Sequence, residues 1–261
     1  MKREAVPDYG ATEDECRAYF SACAALRENR GHVDLLRGQH YRKRAQFFAL
    51  YDDVRALPPN TAWTKLREMH DWFLSQIQEN SDILAIIVVK KLFVDAAAAP
   101  HRTAALLSVE GADLLDCALD HLETVASWGV RLINPVWNNA NVLSGSCADE
   151  PDRGLSVYGR EFVAKMYEYG IFADVSHISD AGFWDVIQAA KGPVVASHSN
   201  ARAPGLCPHR RNLTDDMFRA VRDTGGVVGI NLYLDFVGGG HMDDLIAHIE
   251  HFLSLSGEST V

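Results

Sequence analysis

A chain of 261 residues with 48% hydrophobic content is long enough to bury one large core, and a net charge of -10 argues against nucleic acid as a partner, because phosphate binding depends on clustered Lys and Arg. Five scattered cysteines without a C-x-x-C pair argue against a disulfide framework and for a reducing compartment. The opening MKREAVPDYG has no apolar core and no apolar run approaches the ~18 residues of a membrane span, so the expectation is a cytoplasmic protein with neither signal peptide nor membrane partner.

In chain order, the polar stretch 13–28 predicts a helix that breaks at Gly31. The compact run 45–51 (AQFFALY) predicts a buried strand, and Thr61 predicts a cap for a helix over 63–79. The Ala-rich stretch 82–97 predicts another helix. A second buried strand over 104–109 ends at Glu110-Gly111, and a helix over 112–127 follows. The run 131–136 predicts a strand entering Trp137-Asn138-Asn139, and a helix over 158–169 follows a Gly/Ser/Asp-rich loop. Two short apolar runs, 171–175 and 193–196, flank a helix over about 180–190. Thr214 caps a helix to Asp223, Gly225-Gly226 ends it, 227–231 is a strand, and a last helix covers 242–255.

Strands that are continuous apolar runs and alternate with helices predict a parallel sheet covered on its faces. Six or seven β/α units fit an α/β fold of the (β/α)8 TIM-barrel type, a single domain over residues 1–261, with a doubly wound sheet as the alternative. No G-x-G-x-x-G or G-x-x-x-x-G-K-[ST] follows a strand, which counts against dinucleotide and P-loop chemistry.

The chemistry sits at strand ends. Val175-Ser176-His177 and Ala196-Ser197-His198 each end an apolar run in a histidine, and Glu110 ends a third. Imidazole nitrogens and a carboxylate suit zinc, and functional residues of barrels gather where strands finish. On spacing alone, ligation and ordinary hydrogen-bonded histidines stand level. The guanidinium forks of Arg210 and Arg211 suit a carboxylate, yet the residues alone favour a surface ion pair before a helix cap. Asp174 reads as an acceptor behind His177 or a strand-edge charge. Trp137 reads as core filling ahead of a pocket floor, and His241, His248 and His251 read as solvated.

Together, Asp174-Val-Ser-His177, Ala196-Ser-His198-Ser-Asn200, Cys207-Pro-His-Arg-Arg-Asn212, Leu107-Ser-Val-Glu110-Gly111, Gly225-Gly-Val-Val-Gly-Ile-Asn231 and Gln46-Phe-Phe-Ala49 resemble the renal or membrane dipeptidase family, from about Leu26 onward. The resemblance implies an amidohydrolase-type barrel, a two-zinc centre and hydrolysis of dipeptides, including those with a C-terminal D-residue, by a metal-bridging hydroxide. It implies that Glu110 bridges both zincs and that His177 and His198 bind the second. It further implies that Arg211 holds the substrate's C-terminal carboxylate and that the protein is a homodimer.

Three positions depart from that pattern. The H-x-D of the family's first strand falls at Ala11-Thr12-Glu13, a G-S-D-F-D-G-like last strand would begin beyond Val261, and Trp137 stands where many members carry histidine. The expectation is therefore an incomplete barrel that lacks the last strand and the C-terminal helices. Its catalytic aspartate would lie beyond Val261, one zinc would bind tightly instead of two, and dipeptide turnover would be poor. The alternatives are a non-catalytic dipeptidase-like barrel that binds a ligand or partner protein, and another amidohydrolase.

Overall fold

The computed structural model describes residues 25–29, 31, 33–41, 44–87, 102–256 and 259–261. Most of the predicted helix over 13–28 and the Ala11-Thr12-Glu13 segment lie outside the described residues, and 25–28 are not helical. The chain divides into two compact units, residues 1–48 with 67–106, and residues 49–66 with 107–261.

The first unit takes in most of strand β1 (Arg44–Leu50), most of helix α1 (Ala62–Glu79), strand β2 (Leu84–Ile86) and the first half of strand β3 (Thr103–Glu110). β1 is half-buried, not buried as predicted; exposure alternates along it until Leu50, and Phe48 packs on Phe73 at 5.4 Å. Asn80 ends α1 by turning its side-chain amide onto the Gln76 carbonyl at 2.8 Å. The predicted helix from residue 82 begins instead as a strand. Leu84 pairs with Thr103 and Ile86 with Ala105, both parallel, and Ile87 packs with Ala104 in a small core. Residues 88–97 of that prediction lie outside the described residues.

The second unit carries the site. It takes in the second half of β3, then β4 (Val130–Asn134) and β5 (Phe172–Ala173), hydrogen-bonded in that order. β3, β4 and β5 run parallel, with Glu110 opposite Asn134 and Ile133 opposite Ala173. Beyond β5 the path continues through single parallel bridges, Asp174 to Val195 and Ala196 to Val228, and then Val228 N–H donates to the Thr260 carbonyl at 2.8 Å. The strands predicted at 193–196 and 227–231 are thus reduced to bridges. Pro193 has no N–H to offer, and the Asp174 carboxylate takes the Ser197 amide at 3.1 Å. Among the described residues these pairings form an open path of parallel strands and no closed ring.

The helices of this unit start where short polar side chains satisfy the first free amides. After α2 (Leu119–Ser127), Ser156 accepts from Gly159 N–H to begin α3 (Val157–Glu168), and Ser179 accepts from Gly182 N–H to begin α4 (Asp180–Ala189). Thr214 likewise accepts from Met217 N–H to begin α5 (Asp215–Asp223). The helix predicted over 112–127 is broken. A 3-10 turn at Ala112–Leu115 is followed by Asp116 and Cys117 at φ 52° and 50°, and α2 covers only Leu119–Ser127. A one-turn α6 (Leu234–Val237) ends at Gly238, and Phe252 of α7 (Met242–Ser256) stacks on Phe218 of α5 at 4.2 Å. Cys117, Cys147 and Cys207 are free thiols. No helix of the described residues is long and apolar enough to cross a membrane.

Candidate metal centre

Glu110 ends β3; past β4, one Ser-His step follows β5 and the other follows the bridged segment at Val195 and Ala196. One carboxylate locks both steps. Asp174, 1% exposed, accepts from Ser176 N–H at 3.0 Å and from Ser197 N–H at 3.1 Å through the same oxygen. The Ser176 hydroxyl then accepts from His198 N–H at 3.1 Å, and Asn134 donates to the Ser176 carbonyl at 3.0 Å. His177 takes the left-handed conformation, φ 77°, which is costly for a non-glycine residue and aims its ring back toward β3.

Three acceptor atoms converge as a result. His177 Nε2 lies 3.0 Å from Glu110 Oε1, His198 Nε2 lies 3.3 Å from the same oxygen, and the two Nε2 atoms are 2.9 Å apart. His177 Nδ1 faces the Asn138 side-chain oxygen Oδ1 at 2.9 Å, an acceptor, so Nδ1 carries the proton and Nε2 offers a lone pair. Burial, aided by the nearby Arg211 charge, lowers the His177 pKa to about 4, so its ring is neutral near pH 7. Burial opposes ionisation of Glu110, but the two imidazoles outweigh it and hold the carboxyl well below its usual range. At most one proton, on His198 with Ser197 donating to its Nδ1 at 2.7 Å, fills the triangle without charging a ring. A divalent ion fits in its place. Ligands bound to one zinc at ~2.0–2.1 Å and near-tetrahedral angles sit about 3.3 Å apart, close to the spacings seen.

Arg211 is not on the surface, contrary to the reading its sequence context favours. It is 3% exposed; one guanidinium nitrogen donates to the Ser199 hydroxyl at 2.9 Å, while Nε and Nη2 are buried without a partner among the described residues. Ser199 is next to His198, and its hydroxyl is 3.4 Å from that of Ser176. On the Glu110 side, a cavity of about 340 Å³ is lined by Asp52, Arg55, Asp113, Asp149 and Trp137 among others. Trp137 therefore walls a pocket and does not fill the core; Tyr51 packs on it at 5.0 Å.

The family model for membrane dipeptidase (peptidase family M19) matches residues 13–261. This chain belongs to the membrane dipeptidase family. An uncharacterised dipeptidase of Schizosaccharomyces pombe is 31% identical over 249 residues, 87% of this chain and 58% of that protein. An uncharacterised protein encoded in the pqqA 5′ region of Klebsiella pneumoniae is 38% identical over 166 residues, 59% of this chain and 60% of that one. The chain thus spans about three fifths of the length of these curated relatives. Among solved structures, dipeptidase AC, described as a metallopeptidase of the same family, superposes with TM-score 0.75 at 25% identity, covering 88% of this chain and 74% of that one. A metallopeptidase from Rhodobacter sphaeroides liganded with a phosphinate mimic of L-Ala-D-Ala gives 0.76 at 22% identity, covering 93% and 79%, a likeness of fold.

The Glu110 carboxylate and the His177 and His198 imidazoles place one possible ligand atom each within 4.8 Å of one another, a set that could hold a metal ion. Sequence reasoning missed Asn138, which sets the His177 tautomer, and the double grip of Asp174. It also misplaced His248. That ring is fully buried, not solvated, and His251 pairs with Asp215 at 2.7 Å.

Proposed function

We propose that this chain is a zinc-dependent dipeptidase, and that Glu110, His177 and His198 hold the ion while Arg211 holds the substrate's C-terminal carboxylate. One observation carries the reading: a triangle of three acceptors stands one serine away from a buried guanidinium with two unengaged nitrogens. Zinc at such a site acidifies a water toward ~7 and polarises a carbonyl.

The chain's own residues orient the substrate. Arg211, with Nη1 already set by Ser199, presents its remaining donors to a carboxylate, the geometry in which a guanidinium discriminates a free C-terminus from an amide. Glu110 turns one oxygen to both imidazoles. Its second oxygen is available to a second ion, as in the two-zinc arrangement the family resemblance implies. Dipeptides with a C-terminal D-residue, a homodimer and a cytoplasmic location belong to the same proposal.

The test is metal analysis of the purified chain, with hydrolysis of L-Ala-L-Ala and L-Ala-D-Ala measured with and without added zinc. Zinc-dependent turnover that is lost in Glu110→Gln supports the reading. Zinc binding and dipeptide binding without turnover would favour the non-catalytic alternative, and turnover of amides lacking a free carboxylate would favour another amidohydrolase.

A further inference from the structure

His248 on α7 lies far along the chain from the metal triangle, and its ring is fully buried. Its hydrogen bonds fix its tautomer. Nδ1 accepts from Ala201 N–H at 3.1 Å, and Nε2 faces the Val237 carbonyl at 2.9 Å, so the proton is on Nε2 and the ring is neutral. Ala201 is three residues past His198 and forms a parallel bridge with Leu213, two residues past Arg211. The bridge is closed by Leu213 N–H to the Asn200 carbonyl at 2.8 Å and Arg202 N–H to the Leu213 carbonyl at 2.7 Å. Asn212 reinforces it by donating to the Phe236 carbonyl at 2.8 Å, and the Phe236 ring lies under the Arg211 guanidinium at 5.8 Å. The segment that carries Ser199 and the segment that carries Arg211 are thus tied at one bridge, and His248 pins that bridge from the side of α7.

We propose that His248 is a positioning residue that holds the Arg211 guanidinium in register with Ser199 and so sets recognition of a ligand's carboxylate. The inference rests on the reading of Arg211 given above. Loss of the imidazole leaves a buried N–H at Ala201 and a buried carbonyl at Val237 unpaired, which the bridge relieves by shifting. The metal triangle is held independently, by Asp174, Ser176 and Asn138. Disturbing His248 should therefore separate carboxylate recognition from metal binding.

The experiment uses the full chain loaded with zinc. Titration calorimetry compares a phosphinate dipeptide mimic bearing a free C-terminal carboxylate with its C-terminal amide. The wild type should favour the carboxylate by about tenfold or more, the scale of a charge-assisted hydrogen bond. His248→Leu should cut that preference to about twofold or less, with zinc stoichiometry and affinity for the amide unchanged. His248→Gln, which can still accept from Ala201 and donate to Val237, should restore most of the preference. If His248→Leu does not fold, His248→Asn, too short to reach both partners, takes its place with the same expectation. A variant that keeps the wild-type preference, or loses both ligands alike, overturns the proposal. A wild type that shows no preference, or binds neither ligand, overturns the reading of Arg211 and this inference with it.

Discussion

The Nε2 atoms of His177 and His198 face each other at 2.9 Å with their rings 61° apart, and both face one oxygen of Glu110. Lone pairs gathered this closely repel unless a proton or a metal cation lies among them. Glu110→Gln and His198→Ala are each expected to reduce tightly bound zinc to well under one equivalent while far-ultraviolet dichroism stays at the wild-type level. Elemental analysis after dialysis reads the result, and retention of a full equivalent in both variants would remove the triangle as the binding site.

Asp174 is expected to matter more for stability than either histidine. Asp174→Ala orphans one buried and one half-buried amide that end on a carboxylate, and bonds of this kind contribute about 1.5–3 kcal/mol each, so the cost is about 3–6 kcal/mol. Urea unfolding at neutral pH measures it. A cost below 1 kcal/mol would mean the loops are held by something else.

Gly229 faces the strand segment that carries His198. A Cβ added there would meet the Ser197 carbonyl oxygen, a main-chain atom, at 2.1 Å. Gly229→Ala is expected to cost about 3 kcal/mol and to weaken zinc binding, because relief of the clash moves the His198 main chain. Gly170 is the control. Its φ is 69° and nothing lies within 4 Å of an added Cβ, so Gly170→Ala should cost about 1–2 kcal/mol for the left-handed conformation and leave zinc binding intact. Equal effects on zinc would refute the distinction.

The chelated protein should lose stability in mild acid. His177 is held at about 4 in the folded state against about 6.5 unfolded, so the unfolded chain binds more protons between those values. Stability then falls as pH drops from about 6.5 to 4, by up to about 3 kcal/mol, and is flat with respect to His177 above 6.5. Burial lowers His70 as well and adds slope of the same sign. Glu110, held low, adds its loss below about 4.5. His177→Asn should flatten the upper window in denaturant titrations, and an unchanged slope would show that the ring is not buried neutral.

The parallel path, the convergence of Glu110, His177 and His198 and the cap at Thr214 were legible because each depends on local chemistry: apolar runs, a Thr before a helix, histidines after small residues. The failures have non-local causes. The strand at 193–196 shrinks to bridges because Pro193 lacks an N–H and the Asp174 side chain, from another segment, takes the Ser197 amide that follows it. The helix at 112–127 breaks at two left-handed residues that periodicity does not reveal. Arg211 and His248 look like surface residues in sequence because their burial depends on segments far away in the chain, Ser199 and Phe236 for one, Ala201 and Val237 for the other.

Because two amides 21 positions apart share a single Asp174 oxygen, they cannot open independently for long. Breaking either bond frees the carboxylate to swing from the other, so the Ser176 and Ser197 amides form one cooperative opening unit. Their deuterium exchange rates should track each other across temperature and denaturant, and zinc should slow both by the same factor. The exchange clock of both histidine-bearing steps is then set by one oxygen atom of Asp174.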